Sequence, residues 1–309
     1  VVIELNIKDN ILGLIGNTPL VYLNKFGAGL NAKIAAKLEM FNPYSVKDRP
    51  VSYMITEGEK SGKIDKDTTI IEATSGNTGL ALAFICAMKG YKLIICMSEI
   101  QTEERKRLLK VFGAKLELTP ASEGTAGSKK RALELLEEIP NSYYIEQHSN
   151  PANIQAHRET TGQELWEDTD GKIDILVAGL GTTGTLMGCA EFIKPKKPEF
   201  KIVGVEPEIA PMISKGIFRP HRQAGTSPGF VPKLLNRELL DEIITVSEQD
   251  SFDTCRELAF KEGILPGITS GMTAWAAREL ANKPENSGKL IVAVFADTGE
   301  RYLSVEGLY

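Results

Sequence analysis

The sequence predicts an α/β protein of two interlocked domains, with mainly parallel sheets flanked by helices. Three observations predict it. Short apolar segments alternate with amphipathic ones along the chain, which is the order of strand–helix–strand units. Several of those short segments, such as Asp174–Ala178 and Leu290–Phe295, are continuous apolar runs, as expected where helices cover both faces of a sheet. Two strand-like runs also lead straight into a turn rich in glycine and hydroxyl residues that opens a helix, at 73–79 and 179–185.

In chain order the candidate strands are Ile34–Leu38, Thr69–Glu72, Lys92–Cys96, Lys115–Leu118, Tyr143–Glu146, Asp174–Ala178, Lys201–Val205 and Leu290–Phe295. Between them, a helix over 79–88 stops at Gly90 and a second over 103–112 stops at Gly113, each glycine suited to a left-handed cap. Ser247 reads as the N-cap of a helix over 248–261 that Gly263 ends. Ser45 and Asp48 have the spacing of a capping box, but Pro50 removes an amide that the following turn would use. The segment Pro195-Lys196-Lys197-Pro198 is a loop rather than a domain break.

Composition narrows the function. The 309 residues are 42% hydrophobic and 25% charged, ordinary values for a globular chain. A net charge of −5 without a long Lys/Arg run argues against nucleic acid; Lys106, Arg107 and Lys110, like Lys129, Lys130 and Arg131, read as solvated helix faces. No apolar run approaches the ~18 residues of a membrane span, and the start lacks the parts of a signal peptide, so a cytoplasmic location is expected. The cysteines, Cys86, Cys96, Cys189 and Cys255, form no Cys-x-x-Cys pair, and the first three sit in apolar stretches as small hydrophobes. His148, His157 and His221 lack zinc-ligand spacing, so no metal site is expected.

Four segments carry chemistry. Gly179-Leu180-Gly181-Thr182-Thr183-Gly184-Thr185 follows a strand and precedes a helix, which aims backbone amides and a positive helix end at one point and suits a phosphate. Its first six residues also fit the dinucleotide pattern G-x-G-x-x-G, with Glu206 placed as a ribose acid, but that reading leaves the other three segments unexplained. Thr74-Ser75-Gly76-Asn77-Thr78 offers a second set of helix-start amides, here suited to a carboxylate. Ile268-Thr269-Ser270-Gly271 offers a hydroxyl, and Asn42-Pro43-Tyr44-Ser45-Val46-Lys47-Asp48-Arg49 offers a lysine.

With these motifs the chain resembles the β-family (fold-type II, tryptophan synthase β-like) of pyridoxal 5'-phosphate (PLP) enzymes, in the cysteine synthase (O-acetylserine sulfhydrylase) and cystathionine β-synthase branch. The likeness spans almost the whole chain. It runs from Ile15-Gly16-Asn17-Thr18-Pro19-Leu20 through the segments above to Gly229-Phe230-Val231-Pro232 and Gly299-Glu300-Arg301-Tyr302-Leu303. The resemblance implies that Lys47 holds the cofactor covalently and acts as the base at the substrate Cα. It further implies that Asn77 bonds the cofactor 3'-oxygen, that Gly181, Thr182, Thr183, Gly184 and Thr185 bind its phosphate, and that Ser270 faces its ring nitrogen. Thr74, Ser75, Gly76, Thr78 and Gln147 would bind the substrate carboxylate, with Gly225 and Thr226 near the substrate β-position. It implies a homodimer whose smaller mobile domain (35–146 plus about 1–12) closes over a larger phosphate-binding domain (147–309 plus about 13–34).

The implied reaction is β-elimination and β-replacement on a small amino acid through an aminoacrylate. A hydroxyl at the ring nitrogen makes a weaker electron sink than a carboxylate, which disfavours transamination and racemisation. The leading expectation is cysteine synthesis from O-acetylserine and sulfide, releasing acetate. The alternative is a cysteine-consuming, sulfide-releasing enzyme that makes serine, a thioether or lanthionine. A non-catalytic binding protein of the same fold would be expected to lack the lysine or the phosphate loop, and both are here. Three places depart from the family pattern: the stretch before Lys47 is one residue shorter and carries Tyr44, Thr183 replaces a glycine, and Gly225-Thr226-Ser227-Pro228-Gly229 replaces a small, apolar segment. Hydroxyls in that last segment are expected to position water or a different leaving group.

Overall fold

The computed structural model describes residues 7–309. Two sheets organise them. The chain first lays down a short antiparallel pair, β1 (Leu20–Tyr22) and β2 (Lys33–Lys37). It then leaves to build a four-stranded parallel sheet from β3 (Thr69–Ala73), β4 (Lys92–Ser98), β5 (Lys115–Thr119) and β6 (Ser142–Tyr144), in the order β5-β4-β3-β6. On its return, β7 (Ile175–Gly179), β8 (Lys201–Pro207), β9 (Glu242–Val246) and β10 (Leu290–Val294) complete the first sheet in the order β1-β2-β10-β7-β8-β9. All its pairings except β1 with β2 are parallel.

The helices are α1 (Asp48–Lys60), α2 (Asn77–Lys89), α3 (Glu103–Val111), α4 (Gly124–Glu138), α5 (Ala152–Ala156), α6 (Gly162–Asp168), α7 (Gly184–Ile193), α8 (Met212–Lys215), α9 (Glu248–Glu262) and α10 (Ile268–Asn282). A π turn over His157–Thr161 joins α5 to α6. Continuous apolar strands are explained by helices on both faces. Val177, Val203, Ile291 and Ala293 pack with Leu258, Met272 and Leu280 on one side. Leu176, Ile202 and Val292 pack with Leu165, Leu186 and Met187 on the other. In the smaller sheet, Ile70 and Ile95 meet α1 and α2 residues such as Ile55 and Leu82, while Ile71 and Ile94 meet Ala132 and Leu135 of α4.

The glycine stops hold. Gly90, Gly113 and Gly263 all take positive φ, of 78°, 86° and 69°. Ser247 caps α9 by accepting the Asp250 amide. The capping box at 45–48 forms only in half: Asp48 Oδ2 accepts the Ser45 amide, but Ser45 Oγ accepts from Lys47, so α1 starts at Asp48. Strands β1 and β9 were not expected. The expected start of the smaller domain, residue 35, falls inside β2, which pairs with β10 and so goes with the six-stranded sheet. Residues 1–6, part of that same expectation, lie outside the described residues. No helix among the described residues is long and apolar enough to cross a membrane, and no group of three or more His, Cys, Asp or Glu there could hold a metal. All four cysteines are buried and free, and burial pushes the Cys86, Cys96 and Cys255 thiols up to about 12.

Candidate active site

Lys47 stands at the entry to α1, in a segment fixed from several directions. Asp48 Oδ2 accepts the amides of Tyr44 (2.7 Å) and Ser45 (3.1 Å), and the Val46 amide donates to the Ala296 carbonyl (2.9 Å) just past β10. Below it lies a buried ion network. The Arg49 guanidinium meets both oxygens of Glu39 (2.7 and 2.8 Å) and both of Glu164 (2.6 and 2.7 Å), and Lys37 closes the set on Glu164 (2.9 Å). Thr18 Oγ1 and Asn42 Nδ2 also donate to Glu39. The Thr18 and Arg49 positions of the family motifs thus hold the lysine segment in place. A charged pair this deep needs such full satisfaction, because desolvation otherwise outweighs attraction.

The lysine itself is only partly exposed, and its Nζ makes no hydrogen bond or ion pair among the described residues. Burial pushes its amine below the usual lysine range, while the carboxylates of Asp297 and Glu39 pull the other way. Such an amine is more readily deprotonated and more nucleophilic.

Ser270, fully buried near the start of α10, is tied to the same place. Its Oγ accepts the Ala296 amide (3.1 Å), so Ala296 bonds the lysine segment through its carbonyl and the serine through its N–H. The Ser270 hydroxyl hydrogen has no acceptor among the described residues. It is therefore available to donate to a ring nitrogen.

The phosphate loop lies between β7 and α7 as predicted. The amides of Gly181, Thr182, Thr183 and Thr185 find no acceptor among the described residues, leaving a cluster of donors at a helix N-terminus. Thr183 adopts φ 69°, a left-handed conformation that costs a β-branched residue energy and that the glycine usual in the family would take freely. Thr185 Oγ1 is paired with His157 Nε2 (3.2 Å), whose Nδ1 pairs with Thr161 (2.9 Å). Burial lowers the His157 pKa to about 3, so that ring is neutral.

Close packing joins the loop to the other segments. A Cβ on Gly181 would lie 2.3 Å from the Gly225 carbonyl oxygen, and one on Gly179 would lie 2.8 Å from the Thr269 methyl beside Ser270. A Cβ on Gly184 would strike Asn153, whose Nδ2 donates to the Gln147 carbonyl (2.9 Å). Gln147 Oε1 in turn accepts from Thr78 (2.6 Å) in the second loop. All four chemistry-bearing segments therefore belong to one site. In that second loop the Ser75, Asn77 and Thr78 amides are without acceptors among the described residues, at the start of a four-turn helix.

One expectation is revised. The Thr226 hydroxyl donates to the Gln223 carbonyl (2.8 Å) and the Ser227 hydroxyl to the Ala210 carbonyl (2.6 Å), so neither hydrogen is free to position water or a leaving group. The Ser227 amide also donates to the Leu180 carbonyl (2.9 Å), which makes 225–227 a prop for the phosphate loop. Glu206 is occupied too: it accepts the Ile213 and Ser214 amides and caps α8, leaving no ribose acid for a dinucleotide.

A family model for pyridoxal-phosphate dependent enzymes matches residues 11–297. The chain belongs to this family. Among relatives of this PLP-dependent enzyme, cysteine synthase B of Campylobacter jejuni is 45% identical, over 98% of this chain and 99% of its own. A cysteine synthase structure from Entamoeba histolytica superposes with a TM-score of 0.95 at 40% identity, covering 97% of this chain and 90% of that one. A hydrogen sulfide-producing enzyme from Fusobacterium nucleatum superposes with a TM-score of 0.91 at 42% identity, covering 96% and 100%. The free amide cluster, the uncommitted Ser270 hydrogen and the unpaired Lys47 amine fit the phosphate, ring nitrogen and aldehyde carbon of the cofactor respectively.

Sequence reasoning missed several residues of this PLP site. Glu39, Glu164 and Lys37 stand in none of the motifs, and only their spatial convergence in the Arg49 network gives them a role. Asp297 and Arg301 converge on Asn77, as described below. His157 was weighed only as a metal ligand. His148 packs edge-on against Phe230 (ring centroids 4.9 Å apart), and burial, with Lys47 and Lys129 nearby, lowers its pKa to about 4.

Proposed function

We propose that this PLP-dependent enzyme is a cysteine synthase, joining sulfide to the β-carbon of O-acetylserine and releasing acetate. The observation that carries the reading is the single site formed by Lys47, two anion-binding helix starts and a donor hydroxyl. It sits in a frame aligned end to end with cysteine synthases. When bound, the cofactor supplies an electron sink for the bond made labile at Cα. This chain's residues do the rest. The free amides of Ser75, Asn77 and Thr78, with the Thr78–Gln147 pair behind them, hold the substrate carboxylate. The Lys47 amine, made easier to deprotonate by burial, takes the Cα proton on Nζ. The amides of Gly181, Thr182, Thr183 and Thr185, with the Thr182 hydroxyl, hold the phosphate dianion, while the Thr183 hydroxyl is spent on the Thr182 carbonyl. A neutral Ser270 hydroxyl cannot supply the full charge a carboxylate would, which favours prompt loss of the β-substituent.

On this reading the four-stranded sheet with its helices is the mobile part, and its closure keeps water from the reacting carbon. The enzyme works as a homodimer in the cytoplasm. A second reading, sulfide release from cysteine, is favoured by the likeness to the Fusobacterium enzyme. Two assays separate them: O-acetylserine plus sulfide, reading cysteine formed, and cysteine alone, reading sulfide released. Synthesis faster by tenfold or more supports the proposal. Faster sulfide release overturns it in favour of the second reading.

A further inference from the structure

Asn77 begins α2 on one side of the site, and its side chain is held from the other side by the chain's C-terminal segment. Its Nδ2 donates to Asp297 Oδ2 (2.7 Å), and its Oδ1 accepts from the Arg301 guanidinium (3.2 Å). These partners are chemically one-way. A carboxylate only accepts and a guanidinium only donates, so the amide cannot be turned over without losing both bonds. The holders are fixed in turn. Asp297 is 2% exposed, its Oδ2 also accepts from the buried Tyr302 hydroxyl (2.5 Å), and its carbonyl accepts the Gly267 amide (2.9 Å). Gly267 has no room for a side chain there, since a Cβ would lie 1.9 Å from Asp297 Oδ1. Arg301 reaches across to the Tyr44 carbonyl (2.6 Å), three residues before Lys47.

An amide nitrogen carries two hydrogens, and Asp297 takes only one. We propose that Asp297 and Arg301 lock Asn77 in the one orientation that points its second N–H at an anionic cofactor oxygen, making both of them positioning residues for cofactor retention. With a partner that can both donate and accept, the amide could turn and present its carbonyl to the anion instead. The inference rests on the reading that Asn77 binds the cofactor 3'-oxygen.

The test is a thermodynamic cycle on PLP affinity, read by titrating apo-protein and following visible absorbance. Asn77→Ala is expected to weaken binding on the order of tenfold to a hundredfold, the worth of a bond to a charged acceptor. Asp297→Asn and Arg301→Gln, which remove one-way partners, should each lose about tenfold or more. Arg301→Lys, still a pure donor, should recover most of it. In the Asn77→Ala background Asp297→Asn and Arg301→Gln should each lose most of their effect, leaving only what Arg301 does at the Tyr44 carbonyl and Asp297 at Lys47. Additive losses there would overturn the lock, because the two residues would then act independently of Asn77. Wild-type affinity in Asn77→Ala would instead remove the reading of Asn77 itself, and the lock with it. Thermal melts of each apo variant identify folding failures, and if Asp297→Asn fails to fold, Arg301→Gln with Arg301→Lys completes the cycle.

Discussion

Gly181→Ala tests the architecture of the phosphate loop with a single methyl. The new Cβ would sit 2.3 Å from the Gly225 carbonyl oxygen, against 3.4–4 Å for an ordinary contact, so backbone on one side must retreat by about 1 Å. Neither side gives readily. The 225–227 segment is pinned to the loop by the Ser227–Leu180 bond, and Gly225 itself holds φ 88°. Overpacking of this kind costs about 1–3 kcal/mol, and a shift of about 1 Å in a binding constellation costs up to about a hundredfold. The expected outcome is PLP binding weakened ten- to a hundredfold, with a melting temperature lowered in the apo-protein as well. Gly76→Ala is the matched control: nothing lies within 4 Å of its Cβ and its φ is −112°, so PLP affinity should stay at the wild-type value. Absorbance titration and thermal melting read both. A Gly181→Ala protein that binds PLP and melts like wild type would refute the close approach of these two loops and the prop role assigned to 225–227.

Two further outcomes follow from buried polar groups. Ser270→Ala leaves the partly buried Ala296 amide without its acceptor, worth about 0.5–1.5 kcal/mol in urea unfolding; the loss should be larger in the PLP-loaded protein, where the hydroxyl also donates to the ring, and an equal loss in both forms would argue against that contact. Glu72 is a buried carboxyl beneath the second loop, raised by burial from 4.5 to about 8. Because the folded pKa is raised, its contribution to stability is complete below pH 4.5 and fades as pH climbs through 8, a window worth on the order of 4 kcal/mol. Asp48, raised to about 7, adds a parallel decline. Below pH 6.5 the decline is offset by His148 and His157, whose lowered folded pKa values make stability rise as they lose their protons in the unfolded chain. Apo-protein should therefore lose stability mainly between pH 6.5 and pH 8, and Glu72→Gln should flatten most of that slope; an unchanged slope would mean Glu72 ionises normally.

What the sequence revealed depended on how local the cause was. Continuous apolar strands, glycine stops and strand–loop–helix turns are local, and they place β2 through β8, β10 and the two anion sites close to where they lie. β1 is three residues long, and its existence depends on β2 as a partner rather than on its own pattern. β9 carried a readable β-branched run, Ile243-Ile244-Thr245-Val246, but follows a long stretch whose only helices are the single turns Met212–Lys215 and Arg237–Leu239. At the site, Lys47, Ser270 and the loop glycines stand in motifs whose chemistry can be read directly. Asp297 and Arg301 lie more than two hundred residues from Asn77, and Glu164 lies 115 from Arg49, so tertiary contact alone gives them roles. The hydroxyls of Thr226 and Ser227 misled for the same reason. Their acceptors, Gln223 and Ala210, are backbone carbonyls whose positions no side-chain pattern reports.

The central claim is that Lys47 carries the cofactor in a site closed by the other three segments. The most direct measurement is borohydride reduction of PLP-loaded protein followed by peptide mass analysis, on wild type and on Lys47→Ala. The account predicts loss of visible absorbance with the pyridoxyl mass on the peptide containing Lys47, and neither label nor turnover in Lys47→Ala. A pyridoxyl label on another lysine, or full turnover by Lys47→Ala, would contradict it.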